Sequence, residues 1–357
     1  MAARNNILIM SWGMPQIMRY TSKALTRLGY TPFTVFRAPA AGGNSWVRTA
    51  VEYIEQHHPG YLFSWQRLYG QGRPIWRAAN AWKVRHVVMD FGLWPHYMSA
   101  FYDPQGENRE SSLVGNLDAI EADPRQAQII KRGMPVVNQI RDQILAVAAQ
   151  AKNEMSGTPL KKLPPERDFV FLALQRCARG RPDKVLELDA VPSRREPIRV
   201  ARDVINECER QGKFCVIKQH PQGINVGVAS KSISDPLPER GPNHWLMPMV
   251  KGRGKNEALF SWCIANCSHL VTVNSTTWSL ALICDKPVSC LGRGWYSMNK
   301  IVNECKLVRD AIPTPESSGE RGKRFVALML SRQLRHEFCE RPNKVREVLK
   351  RIYPDFV

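Results

Sequence analysis

The sequence predicts an α/β protein of two lobes, each a parallel sheet with crossover helices. Three observations point there. The chain of 357 residues is longer than one core usually supports, so two domains are the default. In both halves short apolar runs alternate with helically spaced segments, the pattern of parallel strands joined by helices. Between the halves, residues 156–165 interrupt the pattern with proline, glycine and lysine.

The first half opens with a strand over residues 7–10 and a helix over 15–28, with Ile17, Tyr20, Ala24 and Leu28 at helical spacing. A strand over 31–36, a helix over 46–57 and a strand over 60–63 come next. Residues 84–91 make the best strand of this half and carry Asp90 near its end, before a Gly-Leu-Trp-Pro turn. A long helix over 124–155 has Ile129, Ile130, Val136, Val137, Ile140, Ile144 and Leu145 near a 3.6 period, with Pro135 expected to kink or split it. The second half repeats the theme, with strands over 169–174, 213–218, 269–273 and 287–291 and helices over 197–211 and 256–267. Residues 322–353 read as basic and helical, broken at Pro342 and Asn343. The expected organisation is a lobe over 1–155, a linker over 156–166, a lobe over 167–320, and a basic helical segment over 321–357 able to pack back on the first lobe.

Composition narrows the function classes. A hydrophobic content of 43% with 9% aromatics is that of a chain with a real core and excludes a disordered one. No apolar run reaches the ~18 residues of a spanning helix, and the N-terminus enters a strand without a signal-peptide core. A cytoplasmic protein is expected. The nine cysteines show no regular pairing, and Cys263 with Cys267 is a poor zinc signature by itself, so reduced, packed thiols and no metal are expected. The net charge of +19 favours a polyanionic partner: nucleic acid, an anionic membrane surface or a phosphorylated substrate. A solvated basic surface with no partner would give the same composition.

Chemistry gathers at three strand ends. Leu174-Gln175 leads into an arginine-rich loop holding Asp183. Lys218-Gln219 leads into His220-Pro221, and Val273 leads into the turn Asn274-Ser275-Thr276-Thr277 before a short apolar helix. Ligands of open α/β sheets collect at the carboxyl ends of strands, so Gln175, Asp183, His220, Ser275 and Thr276 would share one rim. Hydroxyls and free N–H groups at a helix start seat a phosphate or carboxylate. An imidazole beside them can donate to a phosphate oxygen, and an aspartate can act as nucleophile or base toward a sugar carbon. Each piece also has a plainer use: an ordinary N-cap for the turn, a loop cap for His220, a salt-bridge partner for Asp183.

In this order, the motifs resemble the capsule polysaccharide biosynthesis family, the β-Kdo-transferase-like glycosyltransferases. The matching pieces are Leu174-Gln175, Asp183, Lys218-Gln219-His220-Pro221, Asn274-Ser275-Thr276, Ala281-Leu282, Lys286-Pro287-Val288, and Gly292 with Tyr296. Upstream, residues 90–97 and 101–104 resemble the family's acidic-glycine and Tyr-Asp elements. Where the family usually has Gly-Leu-Glu-Ala-Leu, this chain has Trp278-Ser279-Leu280-Ala281-Leu282, so Leu280 stands in place of a carboxylate. The resemblance implies a GT-B-like fold: two Rossmann-type lobes with a cleft between them, an acceptor-side N-terminal lobe and a nucleotide-sugar-binding C-terminal lobe. It implies donor binding by Gln175, Lys218, His220, Pro221, Asn274, Ser275, Thr276 and Thr277 without a metal. Asp183 would work at the anomeric carbon, Asp90 in acid–base steps, and His220 on the leaving phosphate.

The function expected is transfer of a sugar from a CMP- or UDP-sugar, a co-substrate rather than a tightly bound cofactor, to an anionic acceptor. A lipid-linked capsule glycan comes first, placing the protein in the cytoplasm or peripherally at the inner membrane surface. DNA carrying hydroxymethylated bases is the alternative; a phage-encoded enzyme of that kind would work in the host cytoplasm and flip out its target base. A non-catalytic nucleic-acid-binding protein on a degenerate GT-B fold is the second alternative.

Overall fold

A computed structural model describes residues 5–11, 14–36, 45–65, 72–94, 98–106, 110–155, 168–174, 197–219, 236–247, 255–273 and 275–356. The chain divides into two compact units, Met1–Ile129 with Leu328–Val357, and Ile130–Ala327. Each is built on a six-stranded sheet.

In the first unit the strands are β1 (Asn6–Ser11), β2 (Thr31–Phe36), β3 (Tyr61–Trp65), β4 (Arg85–Phe91), β5 (Ser99–Asp103) and, from the end of the chain, β12 (Gln333–Arg335). Their spatial order is β12-β5-β4-β3-β1-β2. β1 to β4 are parallel; β5 runs antiparallel to β4, and β12 antiparallel to β5. The twofold alternation of a strand then sorts the side chains. Ile7, Ile9, Tyr61 and Phe63 face a core shared with α1 (Pro15–Arg27) and α10 (Pro342–Ile352). Leu8, Met10 and Leu62 face one shared with α2 (Ser45–His57) and α3 (Arg73–Ala81). Helix α1 starts with Pro15 at its first position, where a missing N–H breaks no helical bond, and is followed by Gly29 at φ +87°.

The second unit is parallel throughout, in the order β11-β10-β9-β6-β7-β8. Its strands are β6 (Phe169–Ala173), β7 (Phe214–Lys218), β8 (His244–Leu246), β9 (His269–Thr272), β10 (Val288–Cys290) and β11 (Asn303–Glu304). Val170, Leu172, Cys215 and Ile217 pack with Val200, Ala201 and Val204 of α6 (Pro197–Arg210). Phe169 and Phe171 lie against Trp262 and Phe260 of α7 (Lys255–Asn266), with ring centroids 5.7 and 6.0 Å apart. The eight described cysteines are unbridged and buried. Burial pushes the Cys267 thiol up to about 12 and Cys284 to about 11, so these groups pack as apolar side chains.

Two local expectations change. After the short α4 (Leu117–Ala122), helix α5 (Pro124–Met155) runs through Pro135 as one helix, so of the expected kink or split it is the split that does not occur. Its buried positions Ile130, Val137, Ile140, Ile144 and Ala148 keep one phase on both sides of the proline, and that burial outweighs the ~3 kcal/mol cost of an interior proline. The basic tail is two helices, α9 (Gly319–Ser331) and α10, with strand β12 between them. Pro342 opens α10 at its first position rather than breaking a longer helix. Residues 156–166, expected to link the lobes, lie outside the described residues.

Candidate functional site

In the second unit four strand ends are level. The register pairs Ala173 of β6 with Lys218 of β7 on one side and with Thr272 of β9 on the other, and Thr272 in turn with Cys290 of β10. Because the strands are parallel, the segment after each strand emerges at the same edge of the sheet, the edge where ligands of such sheets bind. Of the residues expected there, Lys218, Ser275, Thr276 and Thr277 are described. Gln175, Asp183, His220, Pro221 and Asn274 lie outside the described residues.

The turn after β9 is organised by its own hydroxyls. Thr272 Oγ1 donates to Ala173 O (2.9 Å) and accepts from Ser275 N (3.1 Å), which ties the turn to the neighbouring strand. Ser275 and Thr277 bond to each other through their hydroxyls at 3.0 Å, and Thr277 N reaches Ser275 Oγ at 3.4 Å. Thr276 stands at the N-cap of α8 (Thr277–Ile283), and its side chain makes no capping bond. The division of labour differs from a simple cap: Ser275 and Thr277 shape the turn. Among the described residues nothing engages the half-buried Thr276 hydroxyl, which leaves it for a ligand. Behind the turn, Tyr296 Oη donates to Val273 O (3.2 Å) and lies 3.3 Å from Gly292 O, pinning the ends of β9 and β10 together. In the sequence Tyr296 stands out only as a motif member, with nothing to show this bracing.

Lys218 closes β7 with its Nζ 5.3 Å from the centre of the Phe260 ring. It forms no ion pair with a described residue. Burial disfavours the ammonium and lowers its pKa, and the ring face only partly replaces the lost water. A cation held this way at a strand end is short of a counter-charge, and an incoming phosphate would supply one. Phe260 was not expected from the sequence, since nothing in a helical apolar run shows which ring meets a lysine on another element.

In the first unit, Asp90 lies at the carboxyl end of β4 and is 7% exposed. The register places Asp90 opposite Phe101 of β5, and Phe101 opposite Gln333 of β12. Asp90 and Gln333 are thus in one row across three strands, where directly opposed side chains share a face. The nearby Asp103, closing β5, is fully buried and accepts hydrogen bonds from Gln105 N, Gly106 N, Ser111 Oγ and Ser112. Its partner Arg332 sits at 3.4 Å. With its acceptor capacity used this fully, Asp103 anchors the loop after β5 rather than offering a free carboxylate. A concavity of about 620 Å³ lies along α5; its described lining, Pro135 to Ala146, includes none of the strand-end residues.

Comparison with known proteins adds a family-model match over one segment and a likeness of fold. Residues 210–317 match the family model described as "Capsule polysaccharide biosynthesis protein". No curated protein matches the sequence. Among solved structures, the chain is similar to the β-Kdo 2,7 transferase of KpsC from Thermosulfurimonas dismutans. The two share 12% identity at a TM-score of 0.53, over 98% of this chain and 99% of that one. The β-Kdo 2,4 transferase of the same organism's KpsC is similar at 13% identity and a TM-score of 0.51, over 89% of both chains. At such identities the likeness is one of fold. The segment carrying Lys218 and the Ser275–Thr277 turn is thus the part that matches the capsule polysaccharide biosynthesis family model, and the likeness to the two β-Kdo-transferase folds extends over nearly the whole chain.

Proposed function

We propose that this protein is a nucleotide-sugar-dependent, metal-independent glycosyltransferase of capsule-type glycan synthesis, with the donor's phosphate bound at the carboxyl edge of the second sheet. One observation carries the reading. The family match over 210–317 covers two level strand ends, one closed by an underpaired lysine and the other followed by a turn with an unengaged threonine hydroxyl.

Charge development dictates the chemistry. Glycosyl transfer breaks the bond between the anomeric carbon and the donor phosphate, so negative charge builds on the departing phosphate and positive charge on the sugar ring. Lys218 and His220 hold the phosphate, with Thr276 donating a hydrogen bond, and Ser275 and Thr277 keep the turn in shape. Lys218 serves best if it waits desolvated, because an ion pair formed away from bulk water is stronger than one at the surface. Asp90 takes the proton of the acceptor hydroxyl, and Asp183 acts at the anomeric carbon. The donor is a CMP- or UDP-sugar, and the net charge of +19 supports an anionic acceptor, a lipid-linked glycan at a membrane surface. Neither the DNA-modifying nor the non-catalytic reading gains an observation from the described residues.

Thermal-shift titration with CMP, UDP and GDP tests the donor site. Stabilisation by CMP or UDP, lost in His220→Ala, is expected. No shift with any of the three nucleotides at millimolar concentration would remove the support for the enzyme reading.

A further inference from the structure

The turn that follows Asp90 is held by a residue some 240 positions away in sequence. Gln333 Oε1 accepts from Leu93 N (2.8 Å) and Trp94 N (3.4 Å), while its Nε2 donates to Trp94 O (2.6 Å). One side-chain amide thereby satisfies the backbone of two consecutive residues, much as a neighbouring strand would. The turn comes so close to β5 and β12 that any side chain at position 92 would push on the side chains of Ser99 and Gln333. A Cβ there would collide with Ser99 Oγ and stand 2.6 Å from Gln333 Oε1. Gly92 N also donates to Ser99 O (2.9 Å), so the turn is fixed from both sides. Gln333 and Asp90 share the row that runs through Phe101.

We propose that Gln333 is a positioning residue for Asp90: its amide fixes the Gly92–Trp94 turn beside the sheet face that carries the Asp90 carboxyl. The inference rests on the reading of Asp90 as the acid–base group. An acid–base residue at a strand end keeps its place only if the backbone leaving that strand has a single course. Among the described residues, Ser99 fixes the first step of that course and the amide from β12 fixes the next two. Loosening the amide should displace the carboxyl relative to the acceptor hydroxyl, and misplacement of about 1 Å costs on the order of 100-fold in rate. Donor binding, assigned to residues of the other unit, should not change.

The test measures nucleotide release from CMP-linked Kdo and from UDP-glucose by the full-length protein, with water as the acceptor whose proton Asp90 takes, using whichever donor turns over, alongside the Kd of CMP or UDP. Asp90→Asn should abolish turnover. Gln333→Leu should lower kcat about 10- to 100-fold, with the nucleotide Kd within twofold and binding stoichiometry near one, which excludes a loss of folded protein. Gln333→Glu keeps the acceptor for Leu93 N and Trp94 N and should recover part of the rate. If Gln333→Leu fails to fold, Gly92→Ala presses on the same contact from the other side and should reproduce the selective loss of kcat. Turnover in Gln333→Leu or Gly92→Ala within twofold of wild type, with Asp90→Asn inactive, would overturn the inference and leave the role of Asp90 standing. Turnover retained in Asp90→Asn, or turnover of neither donor by the wild-type protein, would overturn both.

Discussion

Replacing Asp103 by alanine should destabilise the first unit far more than replacing its partner Arg332 by methionine. Asp103 is fully buried at the end of β5, and its carboxylate accepts from Gln105 N (2.8 Å), Gly106 N (3.0 Å), Ser111 Oγ (2.7 Å) and Ser112 Oγ (2.9 Å). Arg332, 6% exposed, reaches it at 3.4 Å and also donates to Ser112 Oγ at 2.8 Å. The two members are not equivalent. Asp103→Ala leaves a buried guanidinium without its counter-charge and strands several buried donors. Breaking such a pair costs about 3–5 kcal/mol. Arg332→Met removes the longest of the contacts and leaves the carboxylate with its other donors, so about 1–2 kcal/mol is expected. In a two-state unit of this size, each kcal/mol lowers Tm by roughly 2–4 °C. Asp103→Ala should therefore melt about 6–20 °C lower and Arg332→Met only a few degrees lower. Calorimetry or urea unfolding at pH 7 reads the difference. Equal losses in the two variants, or an Asp103→Ala protein within about 2 °C of wild type, would refute the asymmetry and the view of Asp103 as the anchor of its loop.

Three further outcomes are expected. His269 is fully buried, and its Nε2 donates to Ala311 O; burial pushes its pKa down to about 4. The folded state then binds fewer protons than the unfolded state between about pH 4 and 6.5. Stability is complete above about pH 6.5 and falls by about 3 kcal/mol as pH drops toward 4; unfolding of His269→Gln across this window should show a flatter profile. Lys218→Met should leave Tm unchanged or raise it, because a desolvated ammonium is removed, yet weaken CMP or UDP binding at least about tenfold, the scale of one charge-assisted bond; calorimetric titration measures both the affinity and the folded fraction. Phe356 is 1% exposed and stacks on Tyr30 with centroids 5.1 Å apart. Phe356→Ala should cost about 3–5 kcal/mol in denaturant unfolding.

Much of the molecule can be read locally. The strand at 169–173 follows from its unbroken apolar run and the helix at 124–155 from its periodicity, because burial on both faces or on one imposes those patterns on neighbouring residues. The same holds for the candidate donor site, where each polar group directly follows an apolar strand and parallel pairing brings the ends level. Less legible was the assignment of tasks within the turn. Ser275, Thr276 and Thr277 look alike in sequence, but in the folded turn, which Thr272 ties to Ala173, the Ser275 and Thr277 hydroxyls bond to each other and leave the third.

The α/β class, the alternation of the longer strands and helices in both halves, the family resemblance and the strand ends suited to anion chemistry were legible from the residues in a row, whereas the helix at 73–81 and the strands at 99–103, 244–246 and 303–304 were not. Each legible feature depends on contacts between near neighbours in the chain. The folded chain was needed to show that residues 333–335 complete the first sheet, that Gln333 holds the turn after Asp90, and that Arg332 joins Asp103. A strand of three residues has too few positions for a period to show. Its partner in β5 lies more than 200 positions earlier, a distance over which only the packed core, not local propensity, selects the pairing.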